Sequence, residues 1–297
     1  MLLLCCVLSL SPALPPGRQG ATCIAMSPVA GVIAVGGHGG LDLHVDGERV
    51  PLGDSRNVFA ICYEYGMLLE AGGRAGEGGK VQCWDWRARK LIWSADEHED
   101  IAYSIAAGAG KVFTGSGDKS IAVRELESGK RLQYLAGHAG AVLALAASPD
   151  GKLLASAGAD RSIRLWSLES LVLVRAINNH GESVNALAWS ADGKHLASGS
   201  SDRTVRVWQP EIGRLVRIVR GHDASVLSLA FTEKHIVSGA ADGKVRLIDA
   251  SSDAILKVLE GHTDWVCGVA AGKEGLASAD WTGKVLRWKD GAAAEVR

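Results

Sequence analysis

The chain has 297 residues, with 32 basic and 33 acidic side chains, 37 glycines and only 7 prolines. A hydrophobic fraction of 47% and a charged fraction of 22% are typical of a folded globular protein and exclude a disordered one. The net charge of −1 gives no electrostatic signature of nucleic-acid or anionic-membrane binding. Glycine is well above its average of about 7%, and no Gly-X-Y period accompanies it. This composition indicates many short strands joined by tight turns.

Residues 1–17 are predicted to be a separate N-terminal segment, and two interpretations of it stay open. Met1–Leu10 is apolar but far too short to span a bilayer as a helix. With Ser11 and Ala13 as small residues before a cleavage point, it could be a secretory signal, and the protein would then be secreted or periplasmic. However, no Lys or Arg precedes the apolar run, as a signal peptide normally requires. The alternative is a β-strand, or the segment belongs to a longer chain.

The cysteines give weak evidence about the compartment. They form no C-x-x-C pair and lie near no histidine ladder, so no metal site is expected. Most lie in apolar runs, where a free cysteine behaves as a small buried hydrophobe. A reducing compartment is therefore favoured, and the protein is expected in the cytoplasm. The cysteines are Cys5, Cys6, Cys23, Cys62, Cys83 and Cys267.

Internal repetition is the strongest signal in the sequence. Leu154–Trp166 (LASAGADRSIRLW) and Leu196–Trp208 (LASGSSDRTVRVW) match at a shift of 42 residues. A Ser or Thr recurs in phase with a preceding His, a following Asp and a later Trp. The series are Thr114, Ser156, Ser198, Ser238 and Ser278; His98, His138, His180, His222 and His262; Asp118, Asp160, Asp202 and Asp242; and Trp166, Trp208 and Trp288. Two weaker units, at about Gly20–Gly53 and Arg56–Asp96, bring the total to seven.

Each unit is predicted to contain four short strands. In the fifth unit, the runs VNALAWS, HLASGS, TVRVW and LVRIVRG are separated by turn signals such as Ala191-Asp192-Gly193. A single four-stranded sheet cannot bury both of its faces, whereas radial stacking of seven such sheets buries them all. The sequence therefore predicts an all-β fold, a seven-bladed β-propeller of four-stranded antiparallel blades, over residues 18–297.

The repeats resemble those of the WD-repeat family over roughly residues 18–297. The resemblance rests on Gly137-His138, Gly221-His222 and Gly261-His262 and on the series above, although the Trp-Asp dipeptide is intact only at Trp84-Asp85. It implies a hydrogen-bonded His–Ser–Asp–Trp tetrad in each complete blade. The implied sets are His138, Ser156, Asp160 and Trp166; His180, Ser198, Asp202 and Trp208; and His222, Ser238 and Asp242, where Ile248 replaces the indole. In the other two units, Arg124 occupies the tryptophan position of the third and Thr282 the aspartate position of the seventh.

The resemblance also implies a function, that of a non-catalytic scaffold for protein–protein interactions. Its partner-binding residues would lie at the start of each inner strand and just before each turn aspartate. Protein or peptide partners are expected, nucleic acid is not, and the propeller is expected to be monomeric within a complex. The candidate partner-binding residues are Phe59, Ile101, Tyr103, Trp265 and Trp281, of which Trp265 and Trp281 are expected to anchor the partner.

A second function, that of a propeller enzyme or small-ligand binder using the central channel, stays open. It would require polar, titratable side chains that converge in the channel. The Ser–His–Asp sets suggest a hydrolase, but several equivalent sets and the absence of a G-x-S-x-G motif argue against one. We therefore predict no catalytic, cofactor-binding or metal-binding residues.

Other patterns are expected to be structural. Gly72–Lys80 superficially resembles a phosphate loop, but Arg74 occupies the place of its first glycine, so a flexible turn insertion in blade two is expected. Four histidines lack clustered ligands, and three arginines two residues before the tryptophan position are expected on a solvated blade face. These residues are His38, His44, His195 and His235, and Arg164, Arg206 and Arg246.

The outer strand of blade seven has two candidate sources. Only residues 291–297 follow its third strand. The resemblance implies that the N-terminus supplies the missing strand, for which Val7–Leu14 is the candidate. Otherwise the C-terminal residues must form it.

Overall fold

The structure is a computed structural model that describes residues 20–27, 31–45, 48–52, 57–74, 76–272, 275–289 and 292–296. These residues form 28 β-strands in seven four-stranded sheets. In every sheet the strands follow one another in chain order, and each pairs antiparallel with the next. The predicted all-β fold, a seven-bladed propeller, is confirmed. The described ranges contain no helix long and apolar enough to cross a membrane.

The first four blades run along the chain as follows. Blade 1 consists of β1 (Ala21–Met26), β2 (Val32–Gly37), β3 (Gly40–Val45) and β4 (Glu48–Pro51). Blade 2 consists of β5 (Val58–Glu64), β6 (Met67–Arg74), β7 (Gly78–Asp85) and β8 (Lys90–His98). Blade 3 consists of β9 (Ala102–Gly108), β10 (Lys111–Ser116), β11 (Ile121–Glu125) and β12 (Arg131–Leu135). Blade 4 consists of β13 (Val142–Ala147), β14 (Leu153–Gly158), β15 (Ser162–Ser167) and β16 (Leu173–Asn178).

The remaining three blades repeat this order. Blade 5 consists of β17 (Val184–Trp189), β18 (Leu196–Ser200), β19 (Val205–Gln209) and β20 (Arg214–Val219). Blade 6 consists of β21 (Val226–Phe231), β22 (His235–Ala240), β23 (Val245–Asp249) and β24 (Ile255–Leu259). Blade 7 consists of β25 (Val266–Gly272), β26 (Gly275–Asp280), β27 (Val285–Lys289) and β28 (Ala292–Glu295).

The fourth strand of blade 7 comes from the C-terminal side of the chain. β28 pairs antiparallel with β27, from Leu286 opposite Glu295 to Lys289 opposite Ala292. The other candidate for this strand, Val7–Leu14, lies outside the described residues, as does the whole predicted N-terminal segment. Every blade is therefore built from four consecutive strands.

The described residues form seven hydrophobic core clusters, and each cluster lies between two consecutive blades. One cluster joins blade 4 to blade 5 and contains Ile163, Leu165, Leu187 and Trp208. Another closes the ring, because Ala21 and Ile24 of blade 1 pack with Ala270 and Ala277 of blade 7. The blades are thus held together mainly by apolar contacts across their faces, which is the burial that a single blade cannot achieve alone.

Part of the glycine excess comes from this close packing. Gly199 lies in the second strand of blade 5, where a Cβ atom would come within 2.6 Å of Val226 Cγ1 of blade 6. Gly239 holds the same position in blade 6, where a Cβ would lie 2.7 Å from Val266 Cγ1 of blade 7. Real Cβ atoms do not approach so closely, so the stacking distance of the blades requires glycine here.

In the glycine-rich stretch of blade 2, residues 72–74 and 78–80 lie in paired strands, which corrects the expectation of a flexible turn insertion for these positions. Gly72 pairs with Lys80, Gly73 with Gly79 and Arg74 with Gly78, so the stretch extends the β6–β7 hairpin. A Cβ on Gly72 would lie 2.0 Å from the carbonyl oxygen of Asn57. Glycine is therefore needed because the hairpin passes against the backbone that enters the inner strand.

Candidate functional site

The tetrads of blades 4 and 5 have the same geometry. In blade 4, His138 Nδ1 lies 2.8 Å from Asp160 Oδ2, and His138 Nε2 lies 2.7 Å from Ser156 Oγ. The indole N–H of Trp166 donates to Ser156 Oγ at 2.8 Å. Each group has a partner if the histidine N–H donates to the carboxylate and the hydroxyl donates to the other ring nitrogen. In blade 5, His180, Ser198, Asp202 and Trp208 repeat these contacts at 2.8, 2.7 and 2.8 Å.

The tetrads hold their carboxylates ionised. Burial alone would raise the pKa of Asp160, but hydrogen bonds from His138 and Ser162 outweigh it and hold the pKa well below the usual range. In blade 5, hydrogen bonds from Thr204 and His180 likewise overcome burial and lower the pKa of Asp202 to about 2. A tetrad carboxylate therefore stays a charged acceptor at neutral pH.

The serine hydroxyls of the tetrads cannot reach a substrate. Ser156 and Ser198 are 0% exposed, and each oxygen already contacts an imidazole and an indole. A nucleophile must be approached by the atom that it attacks, and these oxygens are enclosed between blades. Their geometry supports a structural role.

Blade 6 departs from the pattern that the sequence implies. His222 Nε2 lies 2.8 Å from Ser238 Oγ, and Ile248 fills the tryptophan position. Asp242, however, pairs with Arg246 at 2.7 Å, and His222 Nδ1 is buried with no partner in the described part of the chain. Burial and the positive charge of Arg246 lower the pKa of His222 to about 4, so its ring stays neutral.

The recurring arginines do not share one environment, which corrects the expectation of a solvated blade face. Arg246 is 2% exposed and pairs with Asp242. Arg206 lies 3.3 Å from Asp202, and Arg164 lies 3.9 Å from Asp160. Both arginine side chains are mostly buried. The arginine charge is therefore matched to the tetrad carboxylate within each blade.

Blade 7 has a complete tetrad, because Asp280 takes the role for which the sequence offers Thr282. His262 lies 2.9 Å from Asp280 Oδ2 and 2.6 Å from Ser278 Oγ, and the indole of Trp288 donates to Ser278 at 2.7 Å. Asp280 is the last residue of β26, two positions earlier than the other tetrad aspartates. The missed signal was an aspartate at the end of the second strand.

The other blades use different polar contacts. In blade 3, His98 lies 2.9 Å from both Thr114 and Asp118, while Arg124 at the tryptophan position pairs with Glu97. In blade 2, a buried glutamate occupies the serine position and accepts from the tryptophan indole, Trp84 to Glu70, at 3.3 Å. In blade 1 Val35 stands at the serine position.

A β-bulge near the start of every inner strand shapes the channel mouth. In blade 4, Val142 pairs with Gly158 and Ala144 with Ala157, so Leu143 between them has no opposite residue. A bulge redirects the side chain of its extra residue, and the extra residues all line the central channel. They are Thr22, Phe59, Tyr103, Leu143, Asn185, Leu227 and Cys267. We call this set the bulge ring.

The channel within the bulge ring is a cavity of about 300 Å³ lined by the inner strands of all seven blades. Its deeper walls are apolar, for example Ile61, Leu145 and Leu187. Two thiols, Cys23 and Cys267, also line it, and burial raises the pKa of each to about 12. They are neutral at physiological pH and therefore weak nucleophiles.

Five aromatic rings form a continuous arc on one side of the mouth. Trp265 contacts Trp281 at 6.4 Å between ring centroids, and Trp281 contacts His38 at 5.0 Å. The arc continues from His38 to Phe59 at 6.0 Å and from Phe59 to Tyr103 at 5.7 Å. We call these five residues the aromatic arc. The ring closure thus brings four of the predicted partner-binding residues together, through a histidine that the sequence analysis expected to be structural.

The predicted partner-binding residues differ in exposure. Trp265 is 39% exposed, whereas Trp281 is only 8% exposed and its ring lies between Trp265 and His38. Ile101 is 6% exposed, and its backbone carbonyl accepts from Gly117 N at 3.0 Å. Ile101 therefore has little accessible surface and is not among the residues that line the channel, and its role in partner binding stays a prediction. Phe59 and Tyr103 are partly exposed.

The described residues contain no group of three or more His, Cys, Asp or Glu side chains arranged to hold a metal ion. Cys23, Cys62, Cys83 and Cys267 are free thiols. His195 and His235 lie near the opposite face, beside a second depression that contains Asp192 and Asp249.

The family comparison agrees with the blade structure. The family model described as WD domain, G-beta repeat matches residues 129–167, 171–209 and 213–249. Each match begins at the outer strand of one blade and ends with the third strand of the next, which explains why a tetrad histidine precedes the blade that it serves. No curated protein matches the chain. Three matched repeats and seven blades of one topology together support a WD-repeat β-propeller.

Proposed function

We propose that the protein is a non-catalytic platform that binds a protein or peptide partner at the mouth of its central channel. The aromatic arc is the observation that carries this proposal. Aromatic side chains are enriched where binding energy concentrates, and Trp265 exposes 39% of its surface beside a cavity. WD-repeat propellers commonly serve as interaction scaffolds, and the aromatic arc supports such a role for this chain.

The alternative of an enzyme or small-ligand binder in the channel has less support. Acid–base catalysis needs a titratable group within reach of the substrate. The lining that the structure describes contains no carboxylate, imidazole, ammonium or guanidinium group, and its two thiols are protonated. A strong and selective shift of the melting temperature in a panel of metabolites would favour this alternative.

The proposal is tested by a Trp265→Ala variant, because Trp265 is the most exposed ring of the arc. We expect Trp265→Ala to lose captured proteins relative to the wild type in affinity purification with quantitative mass spectrometry. Its melting temperature should change little, since a partly exposed side chain contributes modestly to stability. Trp281 is a poorer choice because it is largely buried.

The matched control is Tyr65→Ala. Tyr65 is 76% exposed at the turn between β5 and β6, at the far end of the inner strand from the mouth. The proposal predicts that this variant captures the same proteins as the wild type. Equal capture by all three proteins, or equal losses in both variants, would contradict a binding site at the mouth.

A further inference from the structure

Two carboxylates stand at the ends of the aromatic arc. Asp100 and Asp264 each lie two residues after a tetrad histidine, at the entrance to an inner strand. Asp100 Oδ1 accepts from the backbone N–H of Ile101 at 2.7 Å, and Asp264 Oδ1 accepts from that of Trp265 at 2.7 Å. The second oxygen of each carboxylate has no hydrogen-bond or ion-pair partner among the residues that the structure describes.

Both carboxylates lie close to the channel mouth. A Cβ atom on Gly117 would be 2.4 Å from Asp100 Oδ2 and 3.3 Å from Tyr103 Cε2, so this carboxylate and the last ring of the arc border the same small space. At the other end, Asp264 holds the backbone N–H of Trp265, the first ring of the arc, and its negative charge adds to burial in raising the pKa of Cys267 in the bulge ring. The carboxylates therefore bracket the aromatic arc.

On the opposite side of the mouth, Glu182 holds the position of Asp100 and Asp264 in its blade, Asp223 lies one position earlier in blade 6, and both carboxylates form ion pairs. Glu182 of blade 5 pairs with Arg161 at 3.6 Å. Asp223 of blade 6 pairs with Lys244 at 3.4 Å and with Arg246 at 3.6 Å. Unpaired negative charge is thus found on the side of the mouth where the rings lie.

Asn185, on the opposite side of the mouth, offers one more acceptor to a hydrogen-bond donor. Asn185 donates its amide hydrogens to Ser201 Oγ at 3.0 Å and to Val226 O at 2.9 Å, which leaves its carbonyl oxygen as an acceptor towards the channel. Lys and Arg are absent from the described lining. Lys119, on the turn of blade 3, forms no ion pair with Asp100 in the described structure.

We propose that the aromatic arc and its two flanking carboxylates receive a cationic side chain of the protein partner, with arginine as the best fit. This inference rests on the proposed function and names the chemistry of the partner. A cation is attracted to the face of an aromatic ring, and a guanidinium also stacks on rings while its five N–H groups donate to carboxylate and amide oxygens. The cavity of about 300 Å³ has room for one such side chain.

The test compares short peptides of glycine, serine and alanine that differ only in one central residue. The central residues are arginine, citrulline, leucine and phenylalanine, and binding is followed by the NMR shifts of the tryptophan indole signals. Citrulline has nearly the shape of arginine but carries no charge. We expect the arginine peptide to bind about tenfold more tightly than the citrulline peptide at low salt, with the difference shrinking at high salt.

Matched variants identify which carboxylates contribute to binding of the arginine peptide. Asp100→Asn and Asp264→Asn keep the acceptor for the backbone N–H and remove the charge, so each is expected to weaken the arginine peptide about threefold. Glu182→Gln changes the same charge on the opposite side and should leave binding unchanged. An unchanged arginine preference in both Asp→Asn variants would overturn the inference.

Other outcomes separate this inference from the proposed function. If leucine or phenylalanine peptides bind best, or if the citrulline peptide binds as well as the arginine peptide, the preference for a cationic side chain is contradicted. The proposed binding site at the channel mouth is then retained. If no peptide shifts an indole signal at millimolar concentration, the inference is overturned, and the capture experiment with Trp265→Ala then decides the proposed function by itself.

Discussion

The serine hydroxyl at the centre of a tetrad serves two buried partners at once. In blade 5, Ser198 contacts His180 Nε2 and accepts from the indole of Trp208. In blade 6, Ser238 contacts His222 Nε2 alone, because Ile248 stands where the indole would be. Both serines are fully buried. The two blades therefore allow a comparison of the Ser198 hydroxyl, which has two buried hydrogen-bond partners, with the Ser238 hydroxyl, which has one.

We expect Ser198→Ala to destabilise the protein about twice as much as Ser238→Ala. Each buried polar group left without a partner costs about 1–3 kcal/mol, and the first change orphans two groups while the second orphans one. The free energy of unfolding from urea titration measures both. Equal losses in the two variants would show that the indole contact adds nothing to stability.

The tetrad residues could be predicted from the sequence only in the blades where the repeat spacing is regular. In blades 4 and 5 the repeated spacing placed all four residue types. In blade 7 the spacing pointed to Thr282, whereas Asp280 fits because the end of β26 lies beside the histidine as well. In blade 6 the sequence could not show that Arg246 would take Asp242 from His222, since that competition depends on side-chain geometry.

At the scale of strands, the bulge decides which residues reach the channel. In a regular strand, neighbouring side chains point to opposite faces of the blade, and side chains two positions apart share a face. The extra residue breaks this alternation, so Val142 and Leu145, three positions apart, pack in the same core cluster, while Leu143 between them lines the mouth. The short apolar runs and turn residues predicted the strands of blade 5, but alternation carries no sign of a bulge. Family resemblance, and not periodicity, pointed to the partner-binding positions.

Two adjacent substitutions test which side chain of this inner strand faces the channel mouth. Leu143→Asn should cost less than about 1 kcal/mol, because Leu143 faces the mouth and the equivalent residue of blade 5 is already Asn185. Val142→Asn should cost about 3 kcal/mol or more, because Val142 is 0% exposed within an apolar cluster. Chemical denaturation measures both changes. Similar costs at the two positions would contradict the assignment of Val142 to the core and Leu143 to the mouth.

At the scale of the whole molecule, the ring is closed by packing between blades 7 and 1. All four strands of blade 7 are consecutive in the chain, so in the described structure no strand from the other end is shared between the two blades. The closing cluster is built largely from small residues: Ala21, Ala270, Ala277 and Ala279 make up half of it. The cluster between blades 4 and 5 contains both Trp189 and Trp208. One cross-ring hydrogen bond, from Arg287 to the carbonyl of Gly31 at 2.9 Å, supports the closure.

We therefore expect the ring to open first between blades 7 and 1. In a repeat protein each interface contributes its own term to stability, and an interface of alanines buries less apolar surface than one with two indoles. Hydrogen exchange followed by mass spectrometry should show backbone amides of β2 and β26 exchanging at least about tenfold faster than those of β14 and β18, a difference of about 1.4 kcal/mol in opening free energy. These four strands are all second strands of their blades, so their hydrogen-bonding positions are matched. Uniform protection of all four would mean that the propeller opens only as a whole. Because Trp265, Trp281 and His38 also belong to blades 7 and 1, faster opening there would place the aromatic arc at the most adaptable part of the ring.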